Sequence, residues 1–146
     1  MTSARPVALV TGASMGLGAE FARLLASEGY DLVLTARDGE RMATLKKEVE
    51  NLHGVTAHVL VADLTDPRAL EALHVCWRQC GIVLGVLVHN AVWFPPYGAL
   101  EDVDPADSAR VHEVLVLAPM RLTAAFLGGM KRRDFLRSGS GMAAAM

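Results

Sequence analysis

The sequence predicts an α/β fold: a doubly wound parallel sheet covered by helices on both faces. Strand-like apolar runs alternate along the chain with segments of helical periodicity, which is the element order of a parallel sheet with crossover helices. The strand segments are continuously apolar, as expected for strands buried on both sides. Right-handed crossovers then favour the strand order 3-2-1-4, with a ligand crevice at the carboxyl ends of strands one and four.

Turn and cap residues set the predicted boundaries. Gly29 and Gly54 end the first two helices, and Asp66 with Pro67 opens the third as N-cap and first helical residue. The predicted strands are residues 6–11, 31–36, 56–62 and 85–90, and the predicted helices are residues 16–28, 39–52, a third from 67, and a long helix over 105–132.

Length and composition indicate one domain. The chain has 146 residues, of which 52% are hydrophobic, and a net charge of −2, so no basic surface favours nucleic acid. No apolar run approaches the roughly 18–20 residues of a membrane span, and the N-terminus is too short and polar for a signal peptide. A cytoplasmic location is expected. We predict a domain over residues 1–133 and an irregular or disordered tail over 134–146.

Two cysteines, Cys76 and Cys80, lie one helical turn apart near His74. This spacing matches no usual zinc pattern. The sequence therefore predicts reduced, half-buried cysteines and no metal site.

The sequence TGASMGLG at residues 11–18 directly follows the first apolar run. Its glycines permit a tight turn, close backbone approach to a ligand and close packing of helix on strand. Leu17, Phe21, Leu24 and Leu25 recur at helical spacing, which predicts that the glycines open an amphipathic helix. Because a helix N-terminus presents unpaired N–H groups, this turn predicts a pyrophosphate site.

Polar residues follow the other strands. Arg37 follows strand two, where an arginine accommodates a 2′-phosphate and an acidic residue would bind a ribose 2′-hydroxyl. Asp38 is expected to cap the next helix, so the pattern favours NADP(H) over NAD(H). Asp63, after strand three, suits an exocyclic amine such as that of adenine, or a turn. Asn90 and Ala91 end strand four and leave room for a nucleoside.

Together these motifs resemble the short-chain dehydrogenase/reductase family, with its Rossmann-like fold. The likeness covers about residues 5–133. The family's T-G-x-x-x-G-x-G pattern matches at residues 11–18, and its Asp-Leu pair matches at Asp63-Leu64. Its Asn-Asn-Ala-Gly appears as His89-Asn90-Ala91-Val92, and residues 114–123 are similar to its long helix behind strand four.

The resemblance implies cofactor-binding roles for particular residues. Arg37 would hold the 2′-phosphate of NADP, Asp63 and Leu64 the adenine, and Asn90 with Ala91 the inner nucleoside. The residues expected to hold the pyrophosphate and the adjoining ribose are Gly12, Ser14, Met15, Gly16, Leu17 and Gly18.

The family's catalytic group is missing from the sequence. Members use a tyrosine general acid with a lysine one helical turn later, spaced Tyr-x-x-x-Lys. Leu34 follows Tyr30 at that spacing, and Glu101 follows Tyr97. The sequence thus resembles the cofactor-binding part of the family, truncated before that motif.

Three further positions depart from the family pattern. Leu115 stands where an asparagine is expected, Gly141 aligns best with the catalytic serine, and Val92 replaces a glycine beside the dinucleotide. Pro119 cannot donate to the carbonyl of Leu115, which predicts a kink or a carbonyl free for water.

Strand four is expected to be an unpaired edge next to an uncovered helix. Such surfaces predict self-association or a partner chain. The apolar residues expected on the uncovered helix face are Val111, Val114, Leu115, Ala118, Leu122 and Phe126.

Three functional hypotheses follow. The first is the cofactor-binding half of an NADP-dependent oxidoreductase, inactive as an isolated chain. The second is a non-catalytic dinucleotide-binding or interaction module. The third is another Rossmann nucleotide-binding protein, such as a methyltransferase, whose glycines are usually more tightly spaced.

Overall fold

The computed structural model describes residues 5–80 and 82–143, and of residues 76, 78–80 and 131–143 it describes the backbone alone. The side chains of Cys76 and Cys80 therefore lie outside the described part. The strands are β1 Val7–Thr11, β2 Asp31–Ala36, β3 Ala57–Val61 and β4 Leu84–Val88. The helices are α1 Gly16–Ser27, α2 Gly39–His53, α3 Pro67–Cys80, α4 Pro105–His112 and α5 Ala118–Ala143, with a 3₁₀ turn at Leu100–Asp102.

The four strands form one sheet in the order β3-β2-β1-β4, which confirms the predicted order. All neighbouring strands are parallel, and Leu9 of β1 pairs with Val33 of β2 and Leu87 of β4. Parallel strands of this order place the carboxyl ends of β1 and β4 side by side, where a doubly wound sheet binds its ligands.

Both faces of the sheet are covered. Leu34 and Met42 belong to the core cluster between the sheet and helices α1 and α2. Leu9, Trp77 and Phe126 belong to the cluster on the opposite face, beneath α3 and α5. The rings of Trp77 and Phe126 meet edge to face with centroids 5.5 Å apart, a favoured aromatic arrangement.

Helix α1 confirms the predicted helix, but its leucines do not form the buried face. Leu17 is 71% exposed and Leu24 56% exposed, and Phe21 is exposed as well. The buried residues of the helix are Gly18, Ala19, Ala22 and Ala26. Small side chains face the sheet because the helix lies close against it, which leaves no room there for leucine.

The predicted caps are confirmed. The Asp38 carboxylate accepts from the Arg41 backbone N–H at 3.0 Å and begins α2. Asp66 accepts in the same way from the Arg68 N–H at 2.9 Å and begins α3. Gly54, with φ of 62°, ends α2 in the left-handed conformation that glycine adopts without strain.

The structure corrects the predicted end of strand four. β4 ends at Val88, so Asn90 and Ala91 lie in the following loop and not on the strand. The predicted long helix over 105–132 is also divided, because a π-helical segment, Glu113–Leu117, separates α4 from α5. Pro119 follows this segment and lacks the N–H that an α-helical bond to Leu115 needs, which accounts for the irregularity.

Helix α5 continues to Ala143, beyond the predicted helix end at residue 132. The prediction of an irregular or disordered tail is therefore wrong over residues 134–143, and residues 144–146 lie outside the described part. The glycines and serines of this stretch have low helix propensity, which is why the sequence favoured a tail.

Most of the apolar side chains predicted to be uncovered on this helical stretch are buried. Val114, Ala118, Leu122 and Phe126 belong to the core beneath α5, and only Leu115 of the predicted set is an exposed large hydrophobic residue. These four buried residues follow one another at a spacing of four, so the apolar pattern in the sequence corresponds to the helix face that packs in the core. Among the described side chains of this stretch, the exposed large apolar residues are Leu115, Val116, Met120 and Leu127.

The same stretch bears on the prediction that no segment spans a membrane. Pro105–Met130 comprises 26 residues, and its most apolar window has a mean hydropathy of 1.4, which meets the length and composition of a membrane-spanning helix. Within that window 22% of the residues are buried in the fold. Core helices of soluble proteins meet the same test, so this finding is weak evidence for a span.

Candidate functional site

A cavity of about 700 Å³ opens at the carboxyl ends of the strands, within the range of small-molecule and cofactor sites. All the predicted site residues line it except Gly16 and Gly18. The lining residues are Gly12, Ser14, Met15, Leu17, Ala36, Arg37, Asp38, Arg41, Ala62, Asp63, Leu64, Thr65, Asn90, Ala91, Val92, Trp93 and Val114.

Gly18, which does not line the cavity, allows helix α1 to pack closely against the Gly12 turn. A Cβ atom built on it would lie 2.1 Å from the carbonyl oxygen of Gly12 and 2.5 Å from the Asn90 side-chain nitrogen. Gly12 has φ of +66°, and its Cβ would lie 2.8 Å from the Ala91 Cα. These two glycines let β1, α1 and the loop after β4 converge, whereas a Cβ on Gly16, with φ of +56°, would meet open space.

Thr11 joins the first strand to the loop that carries Asn90. Its buried hydroxyl donates to the Val88 carbonyl at 3.2 Å and accepts from the N–H groups of Asn90 at 3.0 Å and Ala91 at 3.1 Å. Sequence reasoning included Thr11 only as part of the motif. The usable signal was a threonine at the end of a strand expected to be buried on both faces, where a hydroxyl needs partners.

The Asn90 side chain lies inside the glycine turn. Its amide nitrogen donates to the Gly12 carbonyl at 3.2 Å. This bond fixes the loop after β4 against the turn after β1, so Asn90 positions the cavity wall in addition to lining it.

Two arginines lie on the cavity at the end of β2. Arg37 is exposed, and among the described residues no hydrogen bond or ion pair engages its guanidinium. Arg41, in the first turn of α2, also lines the cavity, and its Nε lies 3.4 Å from Asp38 Oδ2. Sequence reasoning missed Arg41, although an arginine in the first turn of a helix that begins beside the site could have indicated it.

Asp63 lies at the cavity with one carboxylate oxygen already engaged. Its Oδ1 accepts from the Thr65 N–H at 2.9 Å and from the Thr65 hydroxyl at 2.8 Å. Burial raises the pKa of Asp63, but these two hydrogen bonds and the charges of Arg37 and Arg110 outweigh it, so the pKa lies below its usual range. The Asp63 carboxylate is therefore an anion at neutral pH. Its bonds to Thr65 stabilise a turn, which was the alternative role predicted for Asp63 from the sequence.

The wall after β4 is aromatic and apolar. Trp93 and Val92 line the cavity, and the Arg110 guanidinium lies 5.9 Å from the centroid of the Trp93 ring. Next to this wall, a ring nitrogen of His89 lies 3.0 Å from the Thr123 hydroxyl. Desolvation lowers the pKa of His89, which favours its neutral imidazole at neutral pH.

Comparison with known proteins identifies the family. The family model for short chain dehydrogenases matches residues 6–141. Dehydrogenase/reductase SDR family member 7B of Bos taurus is 36% identical over 132 residues, which cover 87% of this chain and 40% of that protein. The granaticin polyketide synthase putative ketoacyl reductase 1 of Streptomyces violaceoruber is 41% identical over 90 residues, 62% of this chain and 33% of that protein.

Solved structures agree with this match. A short-chain dehydrogenase from Sphingobium yanoikuyae in complex with NADPH has a TM-score of 0.76 and 35% identity, covering 92% of this chain and 50% of that one. A metagenomic short-chain oxidoreductase in complex with NADP has a TM-score of 0.80 and 36% identity, covering 86% and 56%. The chain thus spans about half the length of these structures. With matching motifs, strand order and sequence, it belongs to the short-chain dehydrogenase/reductase family of oxidoreductases.

Proposed function

We propose that the chain binds NADP(H) as the cofactor-binding part of an oxidoreductase that transfers hydride between nicotinamide and a carbonyl or alcohol. The observation that carries the proposal is the cavity where the glycine turn, Arg37 and the Asn90-Ala91 loop meet. A Cβ on Gly12 or Gly18 would clash with the protein itself, so these glycines let the turn pack closely and keep its backbone at the cavity, where a diphosphate needs close backbone approach. The complexes of related enzymes with NADPH and NADP support the choice of cofactor.

Each part of the cavity has a proposed task. The backbone over Gly12 to Leu17 and the N-terminus of α1 would hold the pyrophosphate. Arg37 offers an unengaged guanidinium to the 2′-phosphate. Asp63 and Leu64 would contact the adenine, and Asn90 with Ala91 the inner nucleoside. When bound, the cofactor supplies or accepts the hydride.

The chain also lacks the proton donor that the family uses. No Tyr-x-x-x-Lys occurs in the 146 residues, and Leu115 stands at the position of the family's asparagine. General acid catalysis contributes about 10²–10⁴-fold to such reactions. We therefore propose binding without turnover by this chain alone. Robust hydride transfer to aldehydes or ketones by the purified chain would contradict that proposal. The same result would exclude the alternative function, a non-catalytic dinucleotide-binding module.

Fluorescence tests cofactor binding directly. The chain has two tryptophans: Trp77 is buried in the core, and Trp93 lines the cavity. Titration with NADPH is expected to quench Trp93 emission in a saturable way, because the reduced nicotinamide absorbs tryptophan emission. Trp93→Phe should lose most of this signal while calorimetry still detects binding. Absence of saturable binding by either method up to millimolar NADPH would contradict the proposal.

We also propose that a second copy or a partner chain covers β4 and the exposed side of α5. β4 pairs only with β1 in the described sheet, and Met120 on α5 is 63% exposed. Unpaired strand edges and exposed apolar patches favour association. Light scattering at micromolar concentration is expected to detect dimers or larger species.

A charge on the proposed surface tests that association. Met120→Lys is expected to shift the distribution toward monomer, whereas Leu52→Lys on α2, at a side chain 70% exposed, should not. A monodisperse monomer for the unmodified chain would contradict the proposal.

A further inference from the structure

We propose that Lys46 and Glu50 of α2 form an edge cap, which closes the free edge of β3 to strand pairing with a second copy of this chain. β3 is an outer strand of the described sheet, with β2 as its neighbour. Unpaired strand edges are templates for association, and proteins block them with charged side chains, lysine above all. The inference goes beyond the proposed function, because it concerns the edge of the sheet opposite β4 and does not depend on cofactor binding.

The hydrogen bonds between β2 and β3 show which backbone groups of β3 face outward. The Leu32 N–H donates to the Thr56 carbonyl at 2.8 Å, and the Ala62 N–H donates to the Ala36 carbonyl at 3.0 Å. In a parallel pair, alternate residues of a strand bond to the neighbouring strand, so the even-numbered residues of β3 face β2. The residues whose backbone N–H and C=O groups face the free edge are therefore Ala57, Val59 and Val61.

Both outward backbone groups of Ala57 are occupied by side chains of α2. The Ala57 N–H donates to Glu50 Oε1 at 2.9 Å, and the Ala57 carbonyl accepts from Lys46 Nζ at 2.6 Å. Lys46 Nζ also lies 3.4 Å from Glu50 Oε1, so the two side chains form a closed ring with the Ala57 backbone. Ala57 is 0% exposed, whereas Val61 at the other end of β3 is 64% exposed.

The edge cap is charged at neutral pH. The hydrogen bond from the Ala57 N–H is the main cause that lowers the pKa of the Glu50 carboxyl, and Lys46 and His58 add to it against the opposing effect of burial. The edge cap therefore combines a carboxylate with an ammonium group. Hydrogen bonds that involve such charged groups are stronger than those between neutral groups.

A second copy of the chain fits this edge, because β3 can pair with itself across a twofold axis. In the antiparallel register centred on Val59, Val59 faces Val59 of the second copy, and Ala57 faces Val61 of the second copy. Each outward-facing pair would exchange two hydrogen bonds. Because Ala57 is occupied in both copies, the central pair alone remains, which leaves too few bonds for a stable junction.

Amide hydrogen exchange tests the edge cap in the unmodified chain. The Ala57 N–H is expected to exchange more slowly than the N–H groups of Val59 and Val61, although all three face the same edge. Glu50→Ala should accelerate exchange at Ala57 about tenfold or more, because the N–H loses a hydrogen bond to a charged group. Equal exchange at the three positions in the unmodified chain would overturn the proposal.

Light scattering tests whether the edge cap limits pairing. In a Met120→Lys background, which is expected to suppress association through α5, Glu50→Ala should raise the dimer fraction at micromolar concentration. Glu48→Ala is the matched control on the same helix, because the Glu48 side chain is 36% exposed against 31% for Glu50. Glu48 bonds to Arg23 instead of β3, so its loss should leave the dimer fraction unchanged.

Val61→Pro separates pairing through β3 from general destabilisation. Proline at this outward-facing position removes no bond to β2, but it removes a donor from the free edge and obstructs an incoming strand. Added to Glu50→Ala, it should return the dimer fraction to that of the Met120→Lys chain. The proposal is overturned if Glu50→Ala raises the dimer fraction no more than Glu48→Ala, or if Val61→Pro fails to reverse the increase.

Discussion

Gly18→Ala is expected to destabilise the fold by about 3 kcal/mol and to abolish cofactor binding. The added Cβ would lie 2.1 Å from the Gly12 carbonyl oxygen, and neither that backbone group nor the buried helix residue Gly18 can move cheaply in a close-packed core. Either α1 moves away from β1 or the Gly12 turn moves into the cavity. Both movements disturb the backbone proposed to hold the pyrophosphate.

Thermal or chemical denaturation and NADPH titration would measure these effects. Gly128→Ala in α5 is the matched helical control, because a Cβ there meets nothing within 4 Å. It should stabilise the chain by about 0.5–1 kcal/mol through helix propensity. Gly16→Ala should cost about 1 kcal/mol through its positive φ alone. If Gly18→Ala resembled either control, the close approach of α1 to β1 would be refuted.

Thr11→Val is expected to destabilise the fold by about 2–4 kcal/mol and to weaken cofactor binding. Valine matches threonine in shape but removes three hydrogen bonds, two of them to the N–H groups of Asn90 and Ala91. Each buried N–H left without an acceptor costs about 1–3 kcal/mol. The loop after β4 would lose its attachment to β1, and one wall of the cavity would loosen.

Thr35→Val is the matched control on the neighbouring strand. Thr35 pairs in register with Thr11 and is likewise buried, but its hydroxyl has no hydrogen-bond partner among the described residues. Replacing an unpaired buried hydroxyl with a methyl group should stabilise the chain by about 1 kcal/mol. Equal effects of the two substitutions in urea denaturation would contradict the role assigned to Thr11.

Much of the fold could be predicted because each element has a local cause. The caps at Asp38 and Asp66 and the stop at Gly54 depend on residues within one helical turn. The strand order followed from the element alternation and the handedness of crossovers. The position of the glycine turn was predictable for the same reason, because its residues are consecutive in the sequence.

The errors concern features that depend on distant parts of the chain. Leu17 and Leu24 have the spacing of a core face, yet the close approach of α1 to the sheet selects Gly18 and Ala22 instead. The apolar run before Asn90 predicted that this residue ends strand four. Its hydrogen bonds to Thr11 and Gly12, which are distant in the sequence, hold it in the loop after β4 instead.

Arg41 was missed for a related reason. Its contact with Met15 spans 26 positions, and although the predicted topology places the start of α2 near the crevice, no pattern in the sequence indicates which side chain of that turn meets Met15. Periodicity reports which face of an element is apolar, but not which polar side chains from different elements meet.

The π-helical segment at Glu113–Leu117 has a consequence for the angular phase of the helices beside it. Each residue advances an α-helix by about 100°, so the additional residue in this wide turn offsets α4 from α5 by roughly that angle. Val114 within the segment and Leu122 farther along both pack in the core beneath α5, and Val114 also lines the cavity. Deleting one residue there would remove the additional residue of the wide turn and would rotate one of these two side chains away from its present contacts.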